Sequence, residues 1–260
     1  MAKELILLGA GKLGVHLAKA LNKQGLNMSW VYNRTLRSAE NLAQEIGAKA
    51  TDKLEELPAT KGIYLFAVAD AAIEEVAKEL SALLGPDIQV AHTSGATPST
   101  IFQGLFKEYG VFYPLQSFSK EQVPNFHTIP IGISASSKAL EEDLMELAEV
   151  LSQQVFPLSD EQRGQLHLAG VFANNFVNVL LGVAFELLKE ADLPKDILWP
   201  IIQETILKIK NEDPTKVQTG PAVREDQVTM DRHLQALTDY PDLAAIYETL
   251  SALIIKRNKT

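Results

Sequence analysis

Three glycines, Gly9, Gly11 and Gly14, stand in the spacing G-x-G-x-x-G directly after the apolar run from Leu5 to Leu8 and at the head of a helical stretch. In that setting the first glycine permits a tight turn, the second lets backbone approach an anion, and the third lets the helix pack close to the strand. Unpaired N–H groups at such a helix start attract negative charge. Gly9, Ala10, Gly11, Lys12, Leu13 and Gly14 are therefore candidates for holding a pyrophosphate. Some twenty residues on, where an acidic residue would bond a ribose 2′-hydroxyl, the chain instead reads Asn33, Arg34, Thr35. Asn33 is uncharged, and Arg34, Thr35 and Arg37 offer donors suited to a 2′-phosphate, which predicts NADP in preference to NAD. The alternative makes Arg34 and Arg37 solvated first-turn residues of the next helix. Lys12, Arg34 and Arg37 meeting at one loop in a chain of net charge -9 weigh against it.

Ligands of open α/β sheets lie beyond the carboxyl ends of the strands. Val68 and Ala69 fall there and are expected beside the cofactor, with Asp70 as N-cap of a helix beginning near Ala71. Ser94, followed by Gly95, either offers a hydroxyl to the nicotinamide and substrate or shapes a turn before a helix opened by Thr97 and Pro98. His92 is either an acid/base group or a partly buried strand histidine. In the apolar stretch from Leu168 to Leu188 and just before it, His167, Asn174 and Asn178 are separated by seven and four residues, which puts them on one helical face. Polar groups buried there need partners or a polar cleft. This reading puts Ser94, His167 and Asn174 at the reacting centre. Gln116, Asn178 and Arg224 are assigned to the substrate, Arg224 as a carboxylate clamp, although Gly220 and Pro221 beside it also read as a simple turn. His16, His127 and His233 show no metal-ligand spacing, and no metal is expected.

The elements positioning these residues divide the chain in two. Up to residue 157, β-rich runs beginning at Glu4, Met28, Gly62, Asp87, Gly110 and Thr128 alternate with helical stretches, and a short run near Gln154 closes the series. The expected fold is α/β: a Rossmann-type, mostly parallel sheet with helices on both faces over 1–157, then an all-helical substrate and dimerisation domain over 158–260. With 260 residues and 46% hydrophobic content, each part can bury a core. The acidic balance argues against nucleic acid. The absence of cysteine excludes disulfides and thiolate chemistry and fits the cytoplasm. The N-terminal apolar run is too short for a signal-peptide core. The stretch from Leu168 approaches bilayer length, but Asn174, Asn175, Asn178 and Glu186 would be costly in hydrocarbon. A helix buried within protein, or against a second subunit, is expected there.

Five segments, "GAGKLG", "NRT", "HTSGATP" (from His92), "FYPLQSFS" (from Phe112) and "TGPAVREDQVTMDRHL" (from Thr219), resemble the bacterial Rossmann-like NADP oxidoreductase proteins with a C-terminal domain of unknown function. The resemblance covers nearly the whole chain. More distantly the layout is similar to pyrroline-5-carboxylate reductase, deazaflavin-dependent NADP reductases and β-hydroxyacid dehydrogenases. It implies a two-domain reductase, often dimeric, with substrate bound between the domains, and does not supply the substrate. The β-hydroxyacid dehydrogenases carry K-x-x-N-N with a lysine acid/base group. Here Asn174 and Asn175 match the asparagines, and Val171 stands in the lysine's place. Without that lysine a small imine or keto substrate is expected, since an imine arrives already protonated. A non-catalytic NADP-binding sensor is the alternative.

Overall fold

Short β-rich runs spaced by helix-length segments build parallel strands joined by crossover helices. The computed structural model describes residues 3–119 and 121–259 and gathers these runs into one eight-stranded sheet. Its strands are β1 (Leu5–Leu8), β2 (Met28–Tyr32), β3 (Lys49–Thr51), β4 (Ile63–Phe66), β5 (Gln89–His92), β6 (Glu108–Pro114), β7 (Ile131–Ala135) and β8 (Val155–Pro157). They lie in the order β3-β2-β1-β4-β5-β6-β7-β8, parallel throughout except for β6 against β7. Strand order reverses between β1 and β4, which opens the crevice where doubly wound sheets bind ligands. Every expected strand is present. The edge strand β3 was not foreseen, because three residues reading Lys-Ala-Thr carry no apolar run.

Helices α1 (Lys12–Lys23), α2 (Leu36–Ile46), α3 (Ile73–Leu84) and α4 (Lys138–Glu149) connect the strands. Side chains alternate between the sheet's faces, so Leu5, Leu7, Leu65, Ala91 and Phe112 join one core while Ile6, Leu8, Tyr64, Phe66 and Val90 join the other. Two boundaries differ from expectation. Asp70 caps nothing: it opens a 3-10 turn, Asp70–Ala72, and the N-cap of α3 is Ala72, with no side-chain bond. Helix α4, which the sequence pattern extends from Lys138 to Ser152, stops at Glu149, and the Ser152 hydroxyl instead donates to the Ile129 carbonyl at 2.6 Å and accepts from Gln154 N.

Beyond β8 the described residues form α5 (Asp160–Gly170), a π-helical segment (Val171–Phe176), α6 (Val177–Glu190), α7 (Trp199–Asn211), α8 (Pro214–Val217), α9 (Gln227–Ala236) and α10 (Pro241–Asn258), with no strand among them. The chain divides into two compact units, one ending at Val179 and the other beginning at Leu180, so the first contains α5 and the π segment besides the sheet. Asp160–Glu190 runs as one helix, long and apolar enough by length and composition to cross a membrane, its 18-residue apolar window having a mean hydropathy of 1.7. None of its apolar window is buried by the chain itself. Phe172, Phe176, Val179 and Leu180 are exposed, as are Ile201, Ile206, Leu207 and Leu253 further on.

Candidate active site

The glycine turn is built around the peptide that follows β4. Gly9 has φ +112°, and a Cβ there would lie 2.5 Å from the Ala67 carbonyl oxygen and 2.7 Å from Val68 N. Both conformation and space therefore demand glycine. A Cβ on Gly14 would sit 2.1 Å from the Gly9 carbonyl oxygen, so α1 can press on the turn only without a side chain there. Gly11 differs, because a Cβ would meet nothing nearer than 3.9 Å. Its missing side chain leaves room for something outside the chain. Gly11 caps α1 without a side-chain bond, no acidic residue lies in the first turn, and Lys12 adds a positive charge. These residues fit a pyrophosphate. A groove of about 590 Å³ along α1 shares Ala10, Gly11 and Lys12 with the turn but contains no residue of the β4 or β5 rim, so it does not extend this site.

Asn33 locks the turn to the end of β2. Its Oδ1 accepts from Ala10 N at 3.0 Å, and its Nδ2 donates to the Thr35 carbonyl at 3.1 Å. Beyond it Arg34, Thr35 and Arg37 are exposed where α2 begins, again with no acidic residue in the first turn. Among the described residues neither arginine belongs to an ion pair. Val68 and Ala69 follow β4 at the adjoining rim, partly buried and exposed respectively.

A clasp that the sequence reading missed shapes the loop after β5. Arg163 is 1% exposed; its Nη1 donates to Asp160 Oδ1 at 2.7 Å and its Nη2 to the Thr97 carbonyl. Asp160 Oδ2 in turn accepts from Ser99 N at 2.7 Å and from the Ser99 hydroxyl at 2.9 Å. Burial raises the Asp160 pKa, but hydrogen bonds from Arg163 and Ser99 outweigh it and hold the carboxyl below its usual range. The loop is further organised by Ser94, whose hydroxyl accepts from Ala96 N and Thr97 N and donates to Thr97 Oγ1 at 2.9 Å. Ser94 thus lies at the expected rim with its hydroxyl engaged inside the loop. The helix expected at Thr97 and Pro98 is a short 3-10 turn, Ser99–Phe102, with Pro98 itself at the N-cap.

Held this way, Gly95 meets two side chains from other elements. A Cβ on it would lie 2.6 Å from His167 Nδ1 and 2.8 Å from the Tyr113 hydroxyl oxygen. The Tyr113 hydroxyl and His167 Nδ1 are 3.4 Å apart. His167 of α5 thereby reaches the β5 rim, beside a tyrosine near the carboxyl end of β6 that sequence reasoning passed over. Burial pushes the Tyr113 phenol up, with Arg163 opposing and Asp70 adding to the shift.

The common face expected for His167, Asn174 and Asn178 is not present. The π segment Val171–Phe176 lies between His167 and Asn178 and includes Asn174. A π turn holds one residue more than an α turn, which rotates the residues after it by on the order of 100° relative to a continuous α-helix. The row expected of the three is therefore broken before Asn178, and the asparagines are not buried. Asn174, Asn175 and Asn178 are exposed, with Asn174 Nδ2 donating to Asn175 Oδ1 at 3.2 Å. Gln116 is exposed just past β6, and its Oε1 accepts from Ser117 N. Arg224 is exposed in the second unit, between α8 and α9, where its charge helps lower the Asp226 pKa. The turn around it contains Gly220 at φ +118° and Glu225 at φ +51°. His92 is fully buried and accepts from Ser94 N at 3.2 Å through Nδ1, and no described residue meets its Nε2 in full hydrogen-bond geometry, the Pro98 carbonyl being the backbone group that acts on the ring. Of its two readings, the structure bears out the buried strand histidine.

Comparison with known proteins matches residues 129–254 to a domain of unknown function, DUF2520, and residues 1–80 to the shikimate/quinate 5-dehydrogenase family. Over its whole length the chain is similar to a Bacteroides fragilis protein described as a "putative NADP oxidoreductase". Identity is 39%, coverage is 98% of both chains and the TM-score is 0.90. A Thermotoga maritima protein, TM1727, is 22% identical with a TM-score of 0.80, covering 98% of this chain and all of its own. The imine reductase from Myxococcus stipitatus in complex with NADP+ shares the fold at 17% identity and a TM-score of 0.70, over 98% of this chain and 94% of its own. The curated relatives are glutamyl-tRNA reductases, that of Methanosarcina mazei being 40% identical over 48 residues. That match takes in 18% of this chain and only 11% of the relative's length.

The His92 imidazole gives this site a testable acid limit. Burial first, then the nearby Arg163, pushes its pKa down to about 4, against a weaker opposing pull from the Pro98 carbonyl and Asp160. An unfolded histidine titrates near 6.5, so between roughly pH 6.5 and 4 the unfolded chain binds a proton that the folded one does not. Stability is therefore complete above that window and falls across it on acidification, by on the order of 3 kcal/mol. Denaturant unfolding at about pH 7 and pH 4.5 will show a clearly smaller acid loss in His92→Asn than in the unaltered protein. Equal losses would contradict the assignment.

Proposed function

The chain belongs, with its Bacteroides fragilis relative, to the family of Rossmann-type proteins carrying a C-terminal domain of unknown function, and on that premise we propose that it is an NADP-dependent oxidoreductase. The observation that carries the reading is the open space at Gly11 at a helix start with no side-chain cap, next to two arginines that join no ion pair among the described residues. Gly9 to Gly14 hold the pyrophosphate, Asn33 orders the turn, and Arg34, Thr35 and Arg37 receive the 2′-phosphate. Val68, Ala69 and the Ser94 loop flank the nicotinamide. Bound NADPH supplies hydride; the chain orients it and manages the proton.

The substrate is a small imine or ketone-like compound at the rim formed by β5, β6 and α5. With valine at position 171, the lysine-driven route of the hydroxyacid dehydrogenases has no acid/base group. His167, one turn earlier, is the titratable group that brings protons to this rim. An imine that arrives protonated asks less of such a site than a carbonyl. Ser94, His167 and Asn174 are proposed for the reacting centre, with Gln116 and Asn178 as substrate contacts. The absence of cysteine suits a cytoplasmic setting.

We also propose a homodimer through the helical part, because Phe172, Phe176, Val179, Leu180 and, further on, Ile201, Ile206, Leu207 and Leu253 are exposed there. Light scattering will give twice the mass of one chain, and Ile206→Asp will shift the population to monomer. A monomer at micromolar concentration would overturn this.

Fluorescence titration will show NADPH binding well ahead of NADH. Replacing Arg34 and Arg37 together by alanine will weaken NADPH about tenfold or more, as expected for lost charge-assisted bonds, and leave NADH unchanged. Preference for NADH would contradict the proposal. NADPH binding with no turnover across imines, keto acids and aldehydes would favour the sensor alternative.

A further inference from the structure

Tyr113 is a buried phenol whose partner is unusual. Buried tyrosines ordinarily bond their hydroxyl to a fixed acceptor, as Tyr64 does with the Pro58 carbonyl. Tyr113 is 8% exposed, lies near the carboxyl end of β6, and has a side chain, His167 Nδ1, as its contact at a long 3.4 Å. The gap where the two rings meet is kept clear by Gly95, whose φ is ordinary. Glycine is therefore required there by the two rings rather than by the backbone. His167 is only half-buried, so its ring connects this inner hydroxyl with solvent. The charged groups acting on the phenol are Arg163 of α5 and Asp70 beyond β4.

Resting on the oxidoreductase reading above, we infer that Tyr113 donates the proton that accompanies hydride transfer and that His167 returns a proton to it from water. Hydride adds to the carbon of a C=O or neutral C=N group, and the π pair moves onto oxygen or nitrogen. That atom takes the Tyr113 hydroxyl proton, the phenolate takes one from His167 Nδ1, and water reprotonates the imidazole. One NADPH and one proton are consumed for each substrate reduced. Burial holds the phenol protonated at neutral pH, the form that a donor requires. Long apo distances between such partners commonly tighten once substrate is bound.

The test uses the full-length protein, with NADPH oxidation by glyoxylate and by 2-methyl-1-pyrroline followed by absorbance. Alongside it, the His167 imidazole is titrated by NMR with NADPH bound. Tyr113→Phe is expected to lower kcat about 100-fold or more while KM and NADPH affinity stay within about twofold. The same substitution should move the His167 titration midpoint, and Gly95→Ala, which forces the rings apart, should move it in the same direction. An unaltered rate in Tyr113→Phe overturns the inference. So does an unmoved midpoint, which decides the matter if neither probe is turned over. Failure of the unaltered protein to bind NADPH removes the oxidoreductase reading itself, and this inference with it.

Discussion

The buried guanidinium of Arg163 is the constraint on which the β5 rim depends. Removing a cation from water costs several kcal/mol unless its bonds are replaced, and here Asp160 on its own helix and the Thr97 carbonyl on the loop replace those of the two terminal nitrogens, while Nε meets no partner among the described residues. Neither partner can move without stranding a buried charge. Asp160, Arg163 and His167 are spaced by three and four residues along α5, so they occupy one helical face. Whatever fixes the arginine against the loop therefore also fixes the histidine against Gly95 and Tyr113.

The coenzyme end depends on the opposite device, an absence of side-chain atoms and of negative charge. Helices α3, α4 and α5 carry acidic residues in their first turns, whereas α1 and α2 have none. In a chain with 33 acidic and 24 basic residues, the missing first-turn carboxylates leave these two neighbouring helix starts attractive to anions. Gly9 and Gly14 close the turn sterically, and Gly11 leaves it open.

Much of this was legible in the residues themselves. Strand positions followed from apolar runs buried on both faces, and the glycine turn follows from its spacing between strand and helix. Tyr113 was not legible, because within "VFYP" an aromatic residue reads as core packing until a histidine from a distant helix is set beside it. Arg163 was hidden for a similar reason: in "DEQRGQ" it looks like a solvated charge, and only the tertiary contact with Thr97 makes it a buried one. Edge strand β3 lacks an apolar signature altogether. The π segment has no local marker, since "VFANNF" suits ordinary winding equally well.

That segment bears on how this chain is matched with others. Counting residues along a single 3.6-residue spiral stays in phase through Gly170 and is a full position out by Val177. Two proteins with the same letters in the same columns would present them to different neighbours if only one carried the extra residue in its turn. Motifs that straddle Val171 to Phe176 are therefore best equated by superposed coordinates rather than by column.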